Sequence, residues 1–336
     1  MKKRITVKDL AQALQLHHTT VSKALRNHPD INSETKKRVL EIAEAMEYQP
    51  NVIARAFKSK RSTAISVIVP LIKNDFFAAV ISGIEDVAYG AGYSISVSQS
   101  NERLEREVVN ARAAVSSLAA GLLISVSQET RSGNHLQMLR RKDIPIVFFD
   151  RICDDVHISR VVADDYYGAV RAVEHLIARG RRSIAHLAGP GHVYVARERH
   201  RGYADALASH GLPFDEELVV RGGFQEYDGA SGMQRLIAGS RRPDAVFAVN
   251  DPVATGAYAV IQKHGWRIPE DVAVAGFGDN VLSSYLQPPL TTVRQPAGTM
   301  GQAAARLLLD QIENPDSAKP PERLVMDTDL IVRQST

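Results

Sequence analysis

The sequence has very little cysteine and no long apolar run. Of its 336 residues one is cysteine, Cys153, which excludes both an intrachain disulfide framework and a cysteine-based zinc site. Such cysteine usage is typical of a reducing cytosol. A run of about 18 apolar residues, as a membrane-spanning helix requires, does not occur. No apolar segment follows the basic residues 1–4 either, so no secretory signal peptide is predicted. We therefore expect a cytoplasmic protein.

Motifs of several enzyme classes are also missing. Neither a GxxxxGK[ST] phosphate loop nor an HExxH pair occurs, and "GPGHVY" at 189–194 begins a GxGxxG pattern that lacks its third glycine. Cys153 has no nucleophile motif around it and is typical of a partly buried thiol. We predict no enzyme activity, and therefore no catalytic residue, metal or cofactor.

Charge is distributed unevenly along the chain. Residues 1–61 contain 13 Lys/Arg and 6 Asp/Glu, a net charge of +7, whereas the rest of the chain has a net charge of −4. A compact basic head on a mildly acidic body indicates that the head meets a polyanion. The alternative is an ordinary solvated charged face.

Three short helices are predicted in this basic head. Apolar residues at i, i+3, i+4 and i+7 between Val7 and Leu14 predict the first helix, which begins with a capping-box-like pattern at Thr6. A second helix follows almost at once, and a third begins near Asn32. The inward residues predicted for the second and third helices are Val21, Ala24, Leu25, Val39, Ile42, Ala43 and Met46. Two helices joined so tightly indicate a helix-turn-helix.

The opposite face of the second helix carries the polar residues His18, Thr19, Ser22, Lys23 and Arg26. The first residues of a recognition helix reach base edges in the major groove. Short donors and acceptors there can read bases, and Lys23 or Arg26 can bind a guanine edge or a phosphate. A three-helix module that binds protein is the alternative, which the charge imbalance disfavours.

The stretch from Thr6 to Phe57 resembles the DNA-binding headpiece of the LacI/GalR family of transcription regulators. Further segments that resemble family landmarks, in family order, are "IVPLIKNDFFAAVISGIEDVAYGAGY", "RSIAHLAGP", "AVFAVNDPVATGA" and "PPLTTVRQP". Two residues depart from the family pattern. His17 stands where a serine usually caps the recognition helix, which predicts a weaker cap. Arg26 stands where asparagine is frequent, which predicts a changed backbone contact.

The segment "YQPNVIARAFKSKRS" at 48–62 joins the head to the body. The resemblance implies a hinge helix that folds on DNA and inserts Phe57, where leucine is common, into the minor groove as an apolar wedge. An ordinary basic linker whose Phe57 packs on the body is the alternative. The pattern and the resemblance together give these candidate DNA-binding residues: Thr6, His17, His18, Thr19, Thr20, Ser22, Lys23, Arg26, Asn27, Tyr48, Asn51, Ala54, Arg55 and Phe57.

From residue 63 onward, apolar runs alternate with amphipathic stretches of 15–20 residues. The runs, among them "AISVIVPL", "IPIVFFD" and "VAVAGFG", predict βαβ units with parallel sheets buried on both faces. Such runs are too many for one compact sheet, so two similar lobes are predicted. The resemblance implies two Rossmann-like lobes of periplasmic-binding-protein type I. With the all-α head, this gives a domain plan of 1–48 for the helix-turn-helix, 49–62 for the hinge, 63–162 with 292–323 for the first lobe, and 163–291 with 324–336 for the second. The chain would cross between lobes near 162–164, 290–292 and 323–325.

Ligands of open parallel sheets bind beyond the carboxyl ends of the strands. Polar and aromatic residues follow several predicted strands, and Arg199 and Phe224 join them by motif match. The candidate effector-binding residues are Asn74, Phe76, Phe77, Gln99, Asp150, Arg199, Phe224, Asn250 and Asp279. Asp75, Ser100, Arg151 and Asp251 also follow strand ends. Such groups suit a polyhydroxylated ring, since each buried hydroxyl needs a fixed partner.

Several of these residues have structural alternatives. Asp150, Asn250 or Asp251 could cap the following helix, and Asp251 is favoured because Pro252 follows it. One of Phe76 and Phe77 is expected in the core, and Arg199 could form a surface ion pair. Gly278 departs from an acidic position common in sugar-binding members, which leaves the ligand class open.

We expect a DNA-binding transcriptional repressor, nucleoid-associated in the cytoplasm. It would bind a pseudo-palindromic double-stranded operator as a homodimer and bind a small-molecule effector, a sugar or sugar derivative, between the lobes. A purine or nucleobase that stacks on Phe76 and Phe77 is the alternative effector. A solute-binding protein with an unrelated N-terminal module is the alternative of a different class, and it leaves the basic head unexplained.

Overall fold

The computed structural model describes residues 5–25, 27–48, 62–315 and 319–336. By its contacts the chain divides into two compact units, a head of Met1–Ser62 and a body of Thr63–Thr336. Among the described residues, no helix has the length and apolar character needed to cross a membrane.

The described part of the head contains three helices around one small core. They are α1 (Val7–Leu14), α2 (His18–Ala24) and α3 (Ser33–Ala45). The three-helix prediction is confirmed. Of the residues predicted to face inward, Val21, Ala24, Val39 and Ala43 are buried, and Leu25, Ile42 and Met46 pack half-buried against them.

Local capping fixes where these helices begin. The Thr6 hydroxyl accepts a hydrogen bond from the Asp9 amide at 3.3 Å, and the Asp9 carboxylate accepts one from the Thr6 amide at 2.7 Å, so the predicted capping box is present. Asn32 caps α3 by accepting from the Thr35 amide at 2.7 Å. Between α1 and α2, Gln15 adopts φ 54°, a left-handed conformation that ends α1. The short turn that follows completes the helix-turn-helix.

The first lobe of the body is built on a six-stranded parallel sheet in the order β11-β5-β4-β3-β1-β2. Ile65 of β1, for example, is paired with Ile95 of β2 and with Gly121 of β3. The strands are β1 (Ala64–Val69), β2 (Ser94–Gln99), β3 (Gly121–Ile124), β4 (Ile146–Phe149), β5 (Ser159–Ala163) and β11 (Arg323–Met326). The helices of this lobe are α4 (Asp75–Gly90), α5 (Leu104–Ser116), α6 (Gln137–Arg140) and α11 (Ala297–Glu313).

The second lobe repeats this topology, with the strand order β12-β10-β9-β8-β6-β7. Its strands are parallel except for β12, which pairs antiparallel with β10. The strands are β6 (Ile184–Ala188), β7 (Val219–Arg221), β8 (Ala245–Ala248), β9 (Ala273–Gly278), β10 (Thr291–Arg294) and β12 (Asp329–Ile331). The helices are α7 (Asp165–Ala178), α8 (Tyr194–Ser209), α9 (Glu226–Ala238) and α10 (Asp251–Lys263).

The strand pairing places the crossings between lobes. The chain leaves the first sheet after Ala163 and starts α7 of the second lobe at Asp165. β10 pairs with β9 of the second sheet, and β11 pairs with β5 of the first. The later crossings therefore lie at 295–296 and 327–328. The predicted positions, 290–292 and 323–325, were wrong by a few residues because each placed a strand in the opposite lobe.

Continuous burial explains why these segments form central strands. In β3, β4 and β8 every residue is buried, as expected for strands covered by helices on both faces. The covering helices approach closely. At Gly83 of α4, a Cβ atom would lie 2.1 Å from the carbonyl oxygen of Gly298 in α11, so only glycine permits this crossing. The resulting layers hold the carboxyl ends of both sheets at one cleft.

Candidate functional site

The start of α2 presents polar side chains on the surface of the head. His17, His18, Thr19 and Lys23 are exposed, and Thr20 and Ser22 are half-buried. His17 is the N-cap residue, as the sequence predicted: its Nδ1 lies 3.5 Å from the Thr19 amide and 2.8 Å from the Thr19 hydroxyl. A contact of 3.5 Å is at the limit of a hydrogen bond, which fits the weaker cap expected from a histidine.

Lys23 lies on the exposed side of α2 and forms an ion pair within the head. Its Nζ is 2.9 Å from Asp30 Oδ2, and the two side chains are 45% and 58% exposed. The Lys23 hydrogen bond lowers the pKa of Asp30, aided by the nearby His28. Because the ammonium group of Lys23 has three donors, the bond to Asp30 leaves two for a phosphate or a guanine.

Of the remaining candidate DNA-binding residues in the head, some lie among the described residues and others lie outside them. Thr6 is exposed as the N-cap of α1, Asn27 is exposed with φ 54°, and Tyr48 is half-buried against the head core. Arg26 and the predicted hinge residues lie outside the described residues, namely Asn51, Ala54, Arg55 and Phe57. The wedge role of Phe57 stays a prediction.

In the body, a cleft between the lobes brings together seven of the nine candidate effector-binding residues. They are Asn74, Phe76, Phe77, Asp150, Arg199, Phe224 and Asn250. The cleft lies at the carboxyl ends of strands from both sheets, where open parallel sheets bind ligands. Its further lining residues are Arg151, Val195, Pro252, Phe277, Gly278, Asn280 and Gln295.

Arg199 is buried in this cleft, so the alternative of a surface ion pair was wrong. Its Nε and Nη2 lie 2.8 and 2.6 Å from Asp165 Oδ1, and its Nη1 donates to the Val249 carbonyl at 2.6 Å. Its guanidinium carbon lies 3.7 Å from the centre of the Phe277 ring. Burial raises the pKa of Asp165 to about 7, although Arg199 acts to lower it. Asp165 is thus the residue that fixes Arg199 in place.

Arg151 is the second buried arginine of the cleft. Its Nη1 lies 2.9 and 2.8 Å from the two carboxylate oxygens of Glu102, and its guanidinium stacks 4.1 Å from the centre of the Phe224 ring. The neighbouring Asp150 is also buried and contacts Ser125 Oγ at 3.4 Å. Burial raises the pKa of Asp150 against the opposing effect of Arg151 and Arg199.

Two asparagines both line the cleft and cap helices. Asn74 accepts from the Phe76 amide at 3.0 Å and begins α4. Asn250 begins α10 by accepting from the Val253 amide at 2.9 Å, and its Nδ2 donates to the Phe224 carbonyl at 2.9 Å. The cap favoured from the sequence, Asp251, was wrong because Asn250 takes that place.

Asp251 instead binds the loop that follows β9. Its carboxylate accepts from the Asn280 amide at 2.8 Å, the Ser283 hydroxyl at 2.7 Å and the Thr292 hydroxyl at 2.5 Å. Asp251 is 1% exposed, and burial raises its pKa against these hydrogen bonds. The carboxylate therefore holds the loop that contains the lining residue Asn280, although Asp251 does not line the cleft itself.

Two candidate effector-binding residues do not line the cleft. Gln99 accepts a hydrogen bond from the Ile72 amide at 3.1 Å. Asp279 forms ion pairs with Arg294 at 2.7 Å and Arg333 at 2.6 Å. Burial acts to raise the pKa of Asp279, but the two arginines outweigh it and hold the pKa below its ordinary value. The structure gives both side chains partners within the protein.

Phe77 shows that one residue can serve both core and cleft. It is 2% exposed and belongs to the core of the first lobe, while Phe76 is half-buried.

Of the lining residues not chosen from the sequence, Arg151 carried a signal, since it directly follows the Asp150 strand end. Gln295 and Asn280 carried none, because their positions depend on how the loops after β9 and β10 fold.

The cleft is nearly closed in this structure. Its cavity volume is about 40 Å³, which holds only a few water molecules. Polar contacts join the lobes around it: the Val281 amide donates to Asp75 Oδ2 at 3.1 Å, and His192 Nε2 lies 2.7 Å from the Gln128 carbonyl. Arg197 also lies 2.9 Å from Asp154. The cavity in this arrangement of the lobes is therefore too small for a sugar ring.

A helix-turn-helix head together with a two-lobed body of this topology defines the class of DNA-binding regulators that carry an effector-binding domain. Residues 6–51 match the profile of bacterial regulatory proteins of the lacI family, and residues 173–336 match a periplasmic binding protein-like domain. The chain belongs to the LacI family. The family prediction and the predicted fold class are thereby confirmed.

Individual relatives match along almost the whole chain. The probable HTH-type transcriptional repressor ExuR of Bacillus subtilis (strain 168) is 33% identical over 335 residues, 98% of each chain. The HTH-type transcriptional repressor PurR of Aliivibrio fischeri (strain MJ11) is 31% identical over 335 residues, again 98% of each. The solved complex of the transcriptional regulator CelR with cellobiose has a TM-score of 0.76 and 29% identity, and the match covers 99% of this chain and 100% of that one. These relatives are transcriptional regulators rather than enzymes.

Proposed function

We propose that this chain is a cytoplasmic repressor that binds operator DNA as a homodimer and responds to a sugar or sugar derivative bound between its lobes. The observation that carries the effector part is the convergence of seven candidate residues on one cleft. Arginine, carboxylate and amide groups beside phenylalanine rings suit a polyhydroxylated ring, because its hydroxyls need fixed partners and its carbon face needs an apolar wall. The CelR complex with cellobiose supports the same class.

A stacked nucleobase is the weaker effector candidate. Two of the aromatic rings of the cleft, those of Phe224 and Phe277, already have a guanidinium at 4.1 and 3.7 Å from the ring centre. A base that stacked on the same face of either ring would have to displace its cation–π contact. A sugar can instead bind at the edges of the arginines.

The DNA-binding part rests on the head. Exposed His18, Thr19 and Lys23 at the start of α2 offer donors and acceptors where recognition helices contact bases. A single head covers one half-site, so a two-fold dimer would bind a pseudo-palindromic operator. We infer that the effector changes the relative position of the lobes and so the spacing of the two heads.

Selection of binding sites from a random DNA library by the purified full-length chain tests this function. We expect enrichment of a two-fold symmetric sequence, bound by two chains per duplex. Fluorescence anisotropy on that duplex should then show that one member of a panel of mono- and disaccharides changes the operator Kd by roughly 5- to 150-fold. Failure to enrich any sequence would refute the DNA-binding role, and a response to nucleobases alone would refute the sugar assignment.

A further inference from the structure

The two buried arginines of the cleft differ in how many of their donors are used. In Arg199 all three guanidinium nitrogens contact Asp165 or the Val249 carbonyl. In Arg151, Nη1 pairs with Glu102, and Nε lies 3.9 Å from Asp150 Oδ2, beyond hydrogen-bond length. Nη2 of Arg151 has no hydrogen-bond partner among the residues that the structure describes. One edge of Arg151, formed by Nε and Nη2, therefore remains for a ligand.

That edge is held in a fixed direction. The Arg151 side chain is 7% exposed and lies between the rings of Phe224 and Phe77, at 4.1 and 5.9 Å from their centres. Glu102 follows β2 in a left-handed conformation, with φ 61°, and also accepts from the Gln128 amide at 2.8 Å. Because Glu102 is itself anchored, Arg151 is positioned before a ligand arrives, which reduces the entropic cost of binding.

We propose that Arg151 binds a carboxylate of the effector, so that the effector is a sugar acid rather than a neutral sugar. This inference rests on the proposed function and deepens it. The Nε and Nη2 donors of a guanidinium match the two oxygens of a carboxylate in a bidentate pair. Asp150, which lies beside the same edge, accepts a hydrogen bond from a hydroxyl of the same ligand. The pair Arg151 and Asp150 thus recognises a carboxylate and a hydroxyl together.

The charges of the cleft are compatible with an anionic ligand. Glu102 contacts the guanidinium of Arg151 only at Nη1. An ionised Asp150 would repel a bound carboxylate, and the burial that raises the pKa of Asp150 acts against this repulsion. Asp165 offsets the charge of Arg199 only in part near neutral pH, because burial raises the pKa of Asp165 to about 7.

Calorimetric titration of the full-length chain with matched pairs of ligands tests the proposal. The pairs are D-galacturonate with D-galactose, D-glucuronate with D-glucose, and D-gluconate with D-glucitol. We expect at least one acid to bind more than tenfold tighter than its neutral partner. Arg151→Gln should weaken that acid roughly ten- to hundredfold, as expected for loss of charged hydrogen bonds, and should change the neutral partner little. Arg140→Gln, an exposed arginine at the end of α6, is the matched control.

The comparison within the wild-type protein keeps the proposal falsifiable even if Arg151→Gln fails to fold. Neutral ligands that bind as tightly as the acids, or acids that do not bind at all, would overturn it. Either result leaves the regulator proposal standing, because operator binding and its response to ligands are measured separately by anisotropy. Loss of the acid preference in Arg140→Gln would also count against Arg151 as the anchor.

Discussion

Replacement of Arg199 by alanine should destabilise the second lobe. Arg199 and Asp165 are 5% and 1% exposed at their side chains, so the substitution leaves a carboxylate buried without its counter-ion. Breaking a buried ion pair in this way costs about 3–5 kcal/mol of the free energy of unfolding. The hydrogen bond to the Val249 carbonyl and the contact with the Phe277 ring are lost as well, which favours the upper part of that range.

The free energy of unfolding lost in Arg199→Ala should depend on pH. The folded-state pKa of Asp165 is about 7, above its unfolded value of about 3.9. Because the folded state then binds the extra proton, the contribution of Asp165 to stability falls as pH rises from about 4 to about 7 and stays constant above that. Without Arg199 the folded-state pKa rises further, so the loss continues to higher pH. The deficit of Arg199→Ala should be smaller at about pH 5.5 than at about pH 8.

Urea unfolding followed by tryptophan fluorescence measures this directly. The chain has one tryptophan, Trp266, which lies in the second lobe with the Arg242 guanidinium 4.4 Å from its ring centre. Arg201→Ala on the same helix is the control, since that side chain is 55% exposed and its ion pair should contribute about 0–1 kcal/mol. Equal deficits for both variants, or a deficit in Arg199→Ala that does not change with pH, would refute the buried-pair reasoning. The double variant Arg199→Ala with Asp165→Asn should regain part of the lost free energy of unfolding at the higher of the two pH values, because it has no buried carboxylate at residue 165.

Three further substitutions test other parts of the structure. Lys23→Ala should weaken operator binding by about 1–3 kcal/mol if Lys23 contacts a base, with Lys263→Ala in the body as the anisotropy control; equal Kd values would remove Lys23 from the interface. Gly278→Asp should lower the melting temperature. The reason is that residue 278 has φ +134° and an added Cβ would lie 3.2 Å from Asn280 Oδ1, a strain of about 1–3 kcal/mol; an unchanged melting temperature would contradict it. Asp251→Asn should cost about 1–3 kcal/mol through its three buried hydrogen bonds, and a denaturation midpoint equal to wild type would show that they contribute nothing.

Much of the architecture could be predicted because it depends on local pattern. Apolar runs such as β4 are buried along their whole length, and the residues that follow strand ends meet at the cleft as parallel topology requires. The head helices were predictable for the same reason, since their stripes and caps lie within a few residues of each other. Crossing positions were less predictable, because β10 and β11 carry no sequence signal for the sheet that each joins.

The differences between the predicted and the observed lining of the cleft arise from contacts between distant residues. Gln99 turns to the Ile72 amide, 27 positions away, and Asp279 is held by Arg333, 54 positions away. The Arg199–Asp165 pair spans 34 positions and depends on how α7 packs on α8. No periodicity encodes such pairings. The same holds for Asp251, whose carboxylate bonds to the distant residues Asn280, Ser283 and Thr292, while Asn250 caps α10.

In the proposed regulator, the closed cleft gives a physical basis for coupling between effector and DNA. A cavity of about 40 Å³ is too small for a sugar ring, so the lobes must separate before a ring can bind. Separation breaks the Asp75–Val281, Gln128–His192 and Asp154–Arg197 contacts, and a bound ligand replaces them with its own contacts to both lobes. The effector can therefore shift the lobe arrangement only by the difference between its contacts in the two states. If the effector changes the affinity for the operator by some factor, operator DNA must change the affinity for the effector by the same factor. Titration of the effector with and without the operator therefore measures the same coupling free energy as titration of the operator with and without the effector.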